Sequence, residues 1–270
     1  MRVALAQIIT GRDLAGNFEI LKRYAQQAKD HGAELIVFPE ASMRSFGNSL
    51  IDIAEPLDGP WASRVRDLAA ELGLVIVAGL FTPGTSPQEG GPAKVRNTLL
   101  VTGPGVETSY HKVHLFDAFG FAESDTVEAG TAPVTFDAGG LTFGLATCYD
   151  IRFPALFTAN ALNGAQVNIV CASWGAGPGK VDQWKLLARA RAVDTTTYVL
   201  ACGQGDPATL GTEVKGNAPT GVGHSAIISP FGEILEELDG APGLLYADLD
   251  PAVVEQARTK LPILANRREF

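Results

Sequence analysis

The amino-acid sequence predicts an α/β protein. Short apolar, β-branched runs recur along all 270 residues, and segments with helical spacing lie between several of them. These runs are apolar throughout instead of alternating with polar residues, as expected of strands whose sheet is covered on both faces. Alternation of such strands with helices is typical of the α/β class.

Nine apolar runs are the predicted strands. In chain order they are RVALAQI, ELIVFPE, GLVIVAGLF, NTLLVTG, LTFGLATC, VNIVCAS, TYVLACG, HSAIISP and LLYADLD. Apolar side chains at helical spacing predict helices over residues 17–31, 61–72 and 181–194. The segments LLVTGPGVETSYHK and AIISPFGEILEEL place glycine-containing turns between strand-like runs and predict hairpins, so the sheet is expected to be mixed.

Length, composition and charge limit the classes of function. With 46 % hydrophobic residues and no linker, the chain is expected to form one domain over residues 1–270. A net charge of −9, with no basic cluster longer than Arg267-Arg268, argues against nucleic acid or an anionic membrane as partner. Gln7 interrupts the first apolar run and no run approaches about 20 residues, so neither a secretory signal nor a membrane span is expected.

The use of cysteine predicts free thiols and a cytoplasmic protein. Three cysteines at wide spacing do not form a disulfide framework. Cys171 and Cys202 lie inside apolar runs and are expected to be buried hydrophobic side chains. Cys148 differs because its run breaks at once into the polar segment YDIRFP, and composition leaves a functional and a structural role equally open.

Three polar residues each directly follow an apolar run: Glu40 in ELIVFPEAS, Lys112 in TSYHKVHLFD and Cys148 in GLATCYD. Functional groups of α/β sheets gather outside the strand ends, so these three side chains could meet there. A carboxylate can deprotonate the thiol for attack on a carbonyl or nitrile carbon, and an ammonium group can stabilise the resulting oxyanion. In isolation, the preferred interpretation of Glu40 is a solvated carboxylate at a strand end, and that of Lys112 is an ordinary surface lysine.

Taken together, ELIVFPEAS, YHKVHLFD and GLATCYDIRFP resemble the three signature segments of the nitrilase, or carbon–nitrogen hydrolase, superfamily. The resemblance extends from RVALAQI to GLLYADLD. It is closest to the Nit-type amidase branch of ω-amidases and deaminated glutathione amidases, to which QWKLLARARAVDTTTYV and GHSAIISPFGEIL are also similar. It implies a single-domain four-layer α-β-β-α sandwich, no metal or organic cofactor, and a homodimer or larger homo-oligomer.

The same resemblance implies roles for individual residues. Glu40 would be the general base, Cys148 the nucleophile, and Lys112 the residue that stabilises the oxyanion or donates a proton. Glu123, in FGFAESDTVEAG, would orient Lys112 or the substrate. The backbone N–H of Tyr149 and the N-terminus of a following helix would complete the oxyanion hole.

Further residues are expected near this site. Arg152 could bind a substrate carboxylate or form a structural ion pair with an acid such as Asp150, and the structural role is slightly preferred. Trp174 is expected to line the acyl pocket, next to GAGPGK as a turn-rich pocket loop. Glu128, five residues beyond Glu123, is expected at the surface.

The implied reaction is hydrolysis of the C–N bond of a small linear amide through a thioester, with ω-amides of dicarboxylates as leading substrates. A nitrilase, an N-carbamoyl hydrolase and a catalytically silent interaction protein of this fold are the alternatives. The sequence departs from the Nit-type pattern at ASMRSFGNSL and at ASWGAGPGKVDQW, which border the substrate pocket in the family. His111 and His114 flank Lys112, but a spacing of three in an extended segment points them to opposite faces, so no shared metal is expected.

Overall fold

The computed structural model describes residues 1–85, 93–118, 120–212 and 218–268. Its strands are β1 (Arg2–Gln7), β2 (Leu35–Val37), β3 (Val75–Pro83), β4 (Val95–Gly103), β5 (Val106–His111), β6 (Asp117–Ala118), β7 (Phe121–Ala122), β8 (Thr135–Ala138), β9 (Leu141–Thr147), β10 (Val167–Ala172), β11 (Tyr198–Gly203), β12 (Ala226–Ile228), β13 (Ile234–Glu237) and β14 (Gly243–Asp248). Its α-helices are α1 (Leu14–Asp30), α2 (Pro60–Leu72), α3 (Pro154–Leu162), α4 (Lys180–Thr195), α5 (Pro251–Lys260) and α6 (Ile263–Asn266). Short 3-10 helices cover Glu123–Asp125, Cys148–Arg152 and Pro207–Leu210.

Two six-stranded sheets form the middle of the molecule. The first has the order β14-β1-β2-β3-β4-β5 and the second the order β13-β12-β11-β10-β9-β8. Strands β1, β2 and β3 are mutually parallel, as are β9, β10 and β11, and the outer strands of each sheet are antiparallel. The predicted mixed sheet is confirmed, and so are both predicted hairpins, which are β4–β5 and β12–β13.

Strand β1 shows how the layers are held together. Val3 and Leu5 pack in a core cluster that contains residues of both sheets, whereas Ala4 and Ala6 pack with the buried faces of α1 and α2. Helices α3 and α4 cover the outer face of the second sheet. Because the central strands β2, β3, β9, β10 and β11 are buried on both faces, their sequences are almost entirely apolar. The result is the four-layer α-β-β-α sandwich that the resemblance implied.

The three predicted helices are confirmed, and capping sets their ends. Asp13 accepts hydrogen bonds from the first free N–H groups of α1, so this helix begins at Leu14 and not at the predicted residue 17. Pro60 opens α2, and Gly73 ends it in the left-handed conformation that glycine adopts readily. Helix α4 extends one residue beyond the predicted range at each end.

The buried cysteines were predicted from the sequence, and three short strands were not. Cys171 and Cys202 stand opposite each other on β10 and β11 and are fully buried, as predicted. The short strands β6, β7 and β8 were not predicted, because so few residues carry no readable period. Across the described ranges, no helix has both the length and the apolar character needed to cross a bilayer.

Candidate active site

The structure brings Glu40, Lys112 and Cys148 together at one edge of the sandwich, outside the ends of β2, β5 and β9. Glu40 lies two residues beyond Phe38, at a turn where Ala41 has a positive φ of 59°. This turn presses against Gly79 of β3, where a Cβ atom would lie 2.7 Å from the backbone nitrogen of Ala41. The close approach is possible because glycine has no side chain.

Glu40 is fully buried, and both of its carboxylate oxygens are held. Its Oε1 accepts hydrogen bonds from Lys112 Nζ at 3.0 Å and from Asn97 Nδ2 at 2.7 Å. Its Oε2 accepts one from the backbone N–H of Ser173 at 2.7 Å. Burial raises the pKa of Glu40 above its ordinary value, and Lys112 opposes that rise without cancelling it. A carboxylate tuned in this way is a stronger base than one in water.

Lys112 is buried between two carboxylates. Its Nζ lies 2.8 Å from Oε2 and 3.0 Å from Oε1 of Glu123, in addition to its contact with Glu40. Burial alone would lower the pKa of Lys112, but the two carboxylates outweigh it and raise that pKa well above its ordinary value. Lys112 therefore stays cationic and fixed in place, as an electrostatic catalyst must be.

Cys148 follows β9 directly and has a φ of +48°, a left-handed conformation that is uncommon outside glycine. Its Sγ donates a hydrogen bond to the carbonyl oxygen of Ser173, at 3.7 Å. Burial, and next the charge of Glu40, raise the pKa of the thiol well above its ordinary value. The thiol is therefore protonated at rest, and its attack on a substrate requires transfer of its proton to a base.

Glu123 and Asn97 complete the buried polar group. Glu123 Oε2 also accepts a hydrogen bond from the backbone N–H of Phe116 at 2.7 Å, which fixes the carboxylate against Lys112. Asn97 Nδ2 donates to Glu40 and, at 3.3 Å, to Glu123 Oε1, so a single amide touches both carboxylates. Sequence reasoning did not single out Asn97, because an asparagine at the start of the strand-like run NTLLVTG carries no signal of its own.

The turn that carries Cys148 is anchored by Asp150, which is fully buried. Its carboxylate accepts hydrogen bonds from Tyr110 Oη at 2.7 Å, from the backbone N–H of His114 at 2.8 Å and from that of Thr147 at 2.8 Å. These bonds join the segment around Lys112 to the turn that carries Cys148. The helix expected after Cys148 is a 3-10 helix, and the α-helix α3 begins only at Pro154.

Arg152 does not form the structural ion pair that the sequence analysis preferred. Within the described ranges no carboxylate lies at ion-pair distance from it, because Asp150 is occupied by other donors. Its guanidinium instead donates a hydrogen bond to Gln183 Oε1 at 2.9 Å and lies over Trp174, 5.0 Å from the ring centroid. Arg152 is thus held by stacking and by one hydrogen bond to an uncharged side chain, and it lines the pocket.

Glu128 lies at the surface, as expected, with part of its side chain exposed. Its side chain is half-buried, and its carboxylate binds Arg96 and the backbone N–H and hydroxyl group of Thr85. These hydrogen bonds lower the pKa of Glu128 to about 2. Glu128 thus anchors the segment that follows Glu123, although it does not line the catalytic pocket.

A small cavity of about 30 Å³ opens onto the reactive groups. Trp174 lines it, as the sequence analysis expected, and Tyr149 and Arg152 line it as well. The loop GAGPGK contributes Gly175 and Lys180, which agrees with its expected place at the pocket. The remaining lining residues are Glu40, Phe46, Lys112, Phe116, Phe121, Glu123, Cys148, Ser173 and Pro219.

The two histidines beside Lys112 serve separate contacts. His111 Nδ1 is 2.9 Å from Thr98 Oγ1, and His114 Nδ1 is 2.7 Å from Asp150 Oδ1. In the part of the chain that the structure describes, no group of three histidine, cysteine or acidic side chains is arranged to hold a metal ion.

A thiol, a buried carboxylate and a fixed ammonium group beside one cavity are groups that hydrolysis of a carbon–nitrogen bond can use. The family model described as "Carbon-nitrogen hydrolase" matches residues 2–259. The chain belongs to the carbon–nitrogen hydrolase family. It is therefore a hydrolase that acts on carbon–nitrogen bonds other than peptide bonds, and its α/β sandwich is the nitrilase-superfamily fold.

Relatives of this carbon–nitrogen hydrolase match it from end to end. Hydrolase Rv0480c of Mycobacterium tuberculosis is 50% identical over 276 residues, which cover 100% of this chain and 96% of the relative. Deaminated glutathione amidase of Escherichia coli O157:H7 is 34% identical over 274 residues, covering 99% and 97% of the two chains.

Solved structures agree with this assignment. Nit3 of Saccharomyces cerevisiae, a member of branch 10 of the nitrilase superfamily, superposes with a TM-score of 0.82 at 27% identity, covering 97% of this chain and 94% of that one. A mutant amidase from Nesterenkonia sp. AN1 superposes with a TM-score of 0.77 at 29% identity, covering 97% and 95%. That amidase shows covalent addition of the acetamide moiety of fluoroacetamide at its active site cysteine.

Proposed function

We propose that this hydrolase cleaves the C–N bond of a small linear amide through a thioester on Cys148, with Glu40 as general base and Lys112 as the oxyanion-stabilising cation. The observation that carries the proposal is the ion pair of Glu40 with Lys112 together with the link from Glu40 to Cys148 through the main chain of Ser173. Lys112 Nζ lies 3.0 Å from its carboxylate, and the main chain of Ser173 binds Glu40 on one side and the Cys148 thiol on the other. Base, nucleophile and cation thus share one buried site.

In the first half of the reaction, Glu40 takes the proton of the Cys148 thiol while Sγ bonds to the amide carbon. The electron pair of the C=O bond moves to oxygen, and this oxyanion lies between Lys112 Nζ and the backbone N–H of Tyr149. That N–H is in the first turn of a 3-10 helix, where backbone donors have no partner within the helix. The C–N bond then breaks, and Glu40 returns the proton to the departing nitrogen, which leaves as ammonia or an amine.

In the second half, Glu40 takes a proton from water, and the hydroxide attacks the thioester carbon. The C–S bond breaks, the proton returns to sulfur, and the carboxylic acid product is released. Glu123 holds Lys112 in place through both halves, because its two oxygens bind the ammonium group throughout. In this mechanism Glu40 carries each transferred proton, while Lys112 and the backbone N–H of Tyr149 stabilise the oxyanion.

Ammonia release tests the proposal. The wild type and Cys148→Ala are assayed with small amides, ω-amides of dicarboxylates, ureido acids and nitriles, and acyl-enzyme is sought by intact-protein mass spectrometry. We expect release from amides alone, lost in both Cys148→Ala and Glu40→Gln, and an acyl mass on the wild type that is absent from Cys148→Ala. Activity confined to nitriles or ureido acids would make the protein a nitrilase or an N-carbamoyl hydrolase, and the absence of both release and adduct would favour the silent interaction protein.

Selective alkylation supplies a test that needs no substrate. Iodoacetamide should modify Cys148 well before Cys171 and Cys202, because Cys148 lines the described catalytic cavity beside Glu40, whereas the other two thiols are fully buried within strands. Equal modification of all three thiols would contradict an activated nucleophile.

Three wider properties belong to the same proposal. We infer that residues 1–270 act as one domain and that the protein works in the cytoplasm, where unpaired thiols such as its three buried cysteines persist. Assembly into a homodimer or larger homo-oligomer is implied by resemblance to the family. Light scattering on the purified chain tests the last point, and a monomer at micromolar concentration would refute it.

A further inference from the structure

Gln204 lies directly beyond β11, where the second sheet meets two connecting segments of the first. Its side chain is buried, and its amide group binds both segments. The Nε2 donates hydrogen bonds to the carbonyl oxygen of Glu40 at 3.0 Å and to Thr10 Oγ1 at 3.0 Å. The Oε1 accepts one from the backbone N–H of Thr10 at 3.1 Å. One amide of the second sheet thus ties the segment after β1 to the segment after β2, which carries the general base.

The main chain of Gln204 reaches the same base from another direction. Its N–H donates a hydrogen bond to the carbonyl oxygen of Ala172 at 2.9 Å. That carbonyl and the N–H of Ser173 belong to a single planar peptide group. The N–H of Ser173 donates to Glu40 Oε2 at 2.7 Å. Gln204 therefore orients the peptide that binds the carboxylate of Glu40, while its side chain binds the carbonyl oxygen of the same residue.

The turn that Gln204 binds has a backbone that needs to be held. Ala41 has a φ of 59°, in the left-handed region that residues other than glycine adopt rarely. Its carbonyl oxygen accepts a hydrogen bond from Thr10 Oγ1 at 3.0 Å and lies 3.5 Å from Gln204 Nε2. Such a conformation persists where the surrounding structure fixes it. Gln204 and Thr10 supply part of that constraint, since they bind the carbonyl groups of Glu40 and Ala41.

We propose that Gln204 is a positioning residue, which fixes the general base Glu40 relative to Cys148 by holding both its main chain and the peptide that binds its carboxylate. The inference rests on the proposed function, in which Glu40 takes the proton of the thiol. Gln204 is not among the residues that line the described catalytic cavity, so it acts through Glu40 and not on the substrate.

Loss of the Gln204 amide should change the basicity of Glu40 as well as its position. The ionisable groups that act on its carboxylate are Lys112, which lowers its pKa, and Glu123, which raises it. The hydrogen bond from the N–H of Ser173 also lowers this pKa, because it favours the ionised form. A turn that moves weakens the bonds from Lys112 and Ser173. The pKa of Glu40 should then rise, and the acid limb of the pH–rate profile should move to higher pH.

The first test compares Gln204→Met with Asn168→Leu. Each variant replaces a buried amide of the second sheet with an apolar side chain of similar size, and both should lower the free energy of unfolding in urea. Asn168 is a matched control, because it lies near the start of β10 and donates to Thr197 Oγ1 at 2.9 Å. Only Gln204→Met should lower kcat, by roughly 10- to 100-fold, and move the acid limb. A wild-type kcat and acid limb in Gln204→Met, or equal changes in Asn168→Leu, would overturn the inference.

Alkylation of Cys148 separates this inference from the proposed function. The rate with iodoacetamide requires no amide substrate, so it decides the matter even if the wild type releases no ammonia, a result that would refute the amidase function alone. A rate at pH 7 that falls roughly 10- to 100-fold in Gln204→Met but not in Asn168→Leu supports the inference, because the thiol loses its aligned base. An unchanged rate in Gln204→Met overturns it. If Gln204→Met does not fold, Thr10→Val, which removes the hydroxyl group that binds Ala41 and Gln204, is judged by the same two outcomes.

Discussion

Gly79 is predicted to control the position of the general base, although it contacts no substrate. It lies in β3, behind the turn that carries Glu40. The Cβ atom of an alanine at this position would lie 2.7 Å from the nitrogen of Ala41, 2.9 Å from the carbonyl oxygen of Pro39 and 3.0 Å from Cα of Glu40. All three are backbone atoms, so no side chain can rotate to relieve the contact. Gly79→Ala must therefore move the Glu40 backbone or β3.

The size of the effect follows from these distances. Ordinary van der Waals contact begins at 3.4 Å, so the turn must retreat by about 0.7 Å from the new methyl group. Overpacking of this kind costs roughly 1–3 kcal/mol of folding free energy. A displacement near 1 Å of a positioned catalytic group costs about 100-fold in rate. We therefore expect kcat/KM to fall by about two orders of magnitude while the protein remains folded.

The assay combines activity with stability. Values of kcat/KM for the best amide substrate and the rate of Cys148 alkylation are compared with the free energy of unfolding in urea. Gly11→Ala is the matched control, because a Cβ atom at Gly11 meets no atom within 4 Å. A Gly79→Ala variant with wild-type kcat/KM would refute the argument that the turn is held by close backbone packing. So would an equal loss of activity in Gly11→Ala.

Three further predictions concern buried or anchored polar groups. Asn97→Leu should lower kcat/KM roughly 10- to 100-fold. It should also move the acid limb of the pH–rate profile to higher pH, because the hydrogen bond that is lost favours the ionised form of Glu40. An acid limb that does not move would indicate a purely structural role for Asn97. Asp150→Asn should lower the free energy of unfolding by roughly 1–3 kcal/mol, measured in urea, because its new N–H₂ group faces donors; unchanged stability would contradict the described network. Glu128→Gln should lower the free energy of unfolding by about 1 kcal/mol at pH 7. The difference between the two proteins should shrink as pH falls from 4.5 towards 2, because a carboxyl group with a lowered pKa stabilises the fold only while it is ionised. A difference that does not change with pH would exclude ionisation of Glu128 as its source.

The layers of this fold could be predicted from local sequence, because each central strand is buried on both faces and is therefore a run of apolar residues. Helix faces and hairpin turns are also local, and these predictions were confirmed to within a few residues. The helix boundary at Leu14 was missed because a single capping side chain, Asp13, set it. The two-residue strands β6 and β7 were missed because their pairing depends on a neighbour and not on a period.

The catalytic constellation shows where sequence reasoning stops. The pattern placed Glu40, Lys112 and Cys148 at strand ends, and resemblance suggested Glu123, but neither pointed to Asn97. Its role depends on the register of β4 beside β3, which directs one amide between two carboxylates 57 and 26 residues away. The positive φ of Cys148 was equally unreadable, since it arises from the packing of the turn and not from the residue type.

The main chain of Ser173 lies at the boundary between the reactive side chains and the loop that faces the substrate. Its N–H donates to Glu40 and its carbonyl accepts from the Cys148 thiol, so both side chains are held by peptide atoms and not by the side chain of Ser173. The next residue, Trp174, begins the loop that faces the substrate. Replacement of the loop from Trp174 to Lys180 is therefore a route to new substrates that leaves the proton-transfer geometry intact, and a natural starting point for redesign of this enzyme.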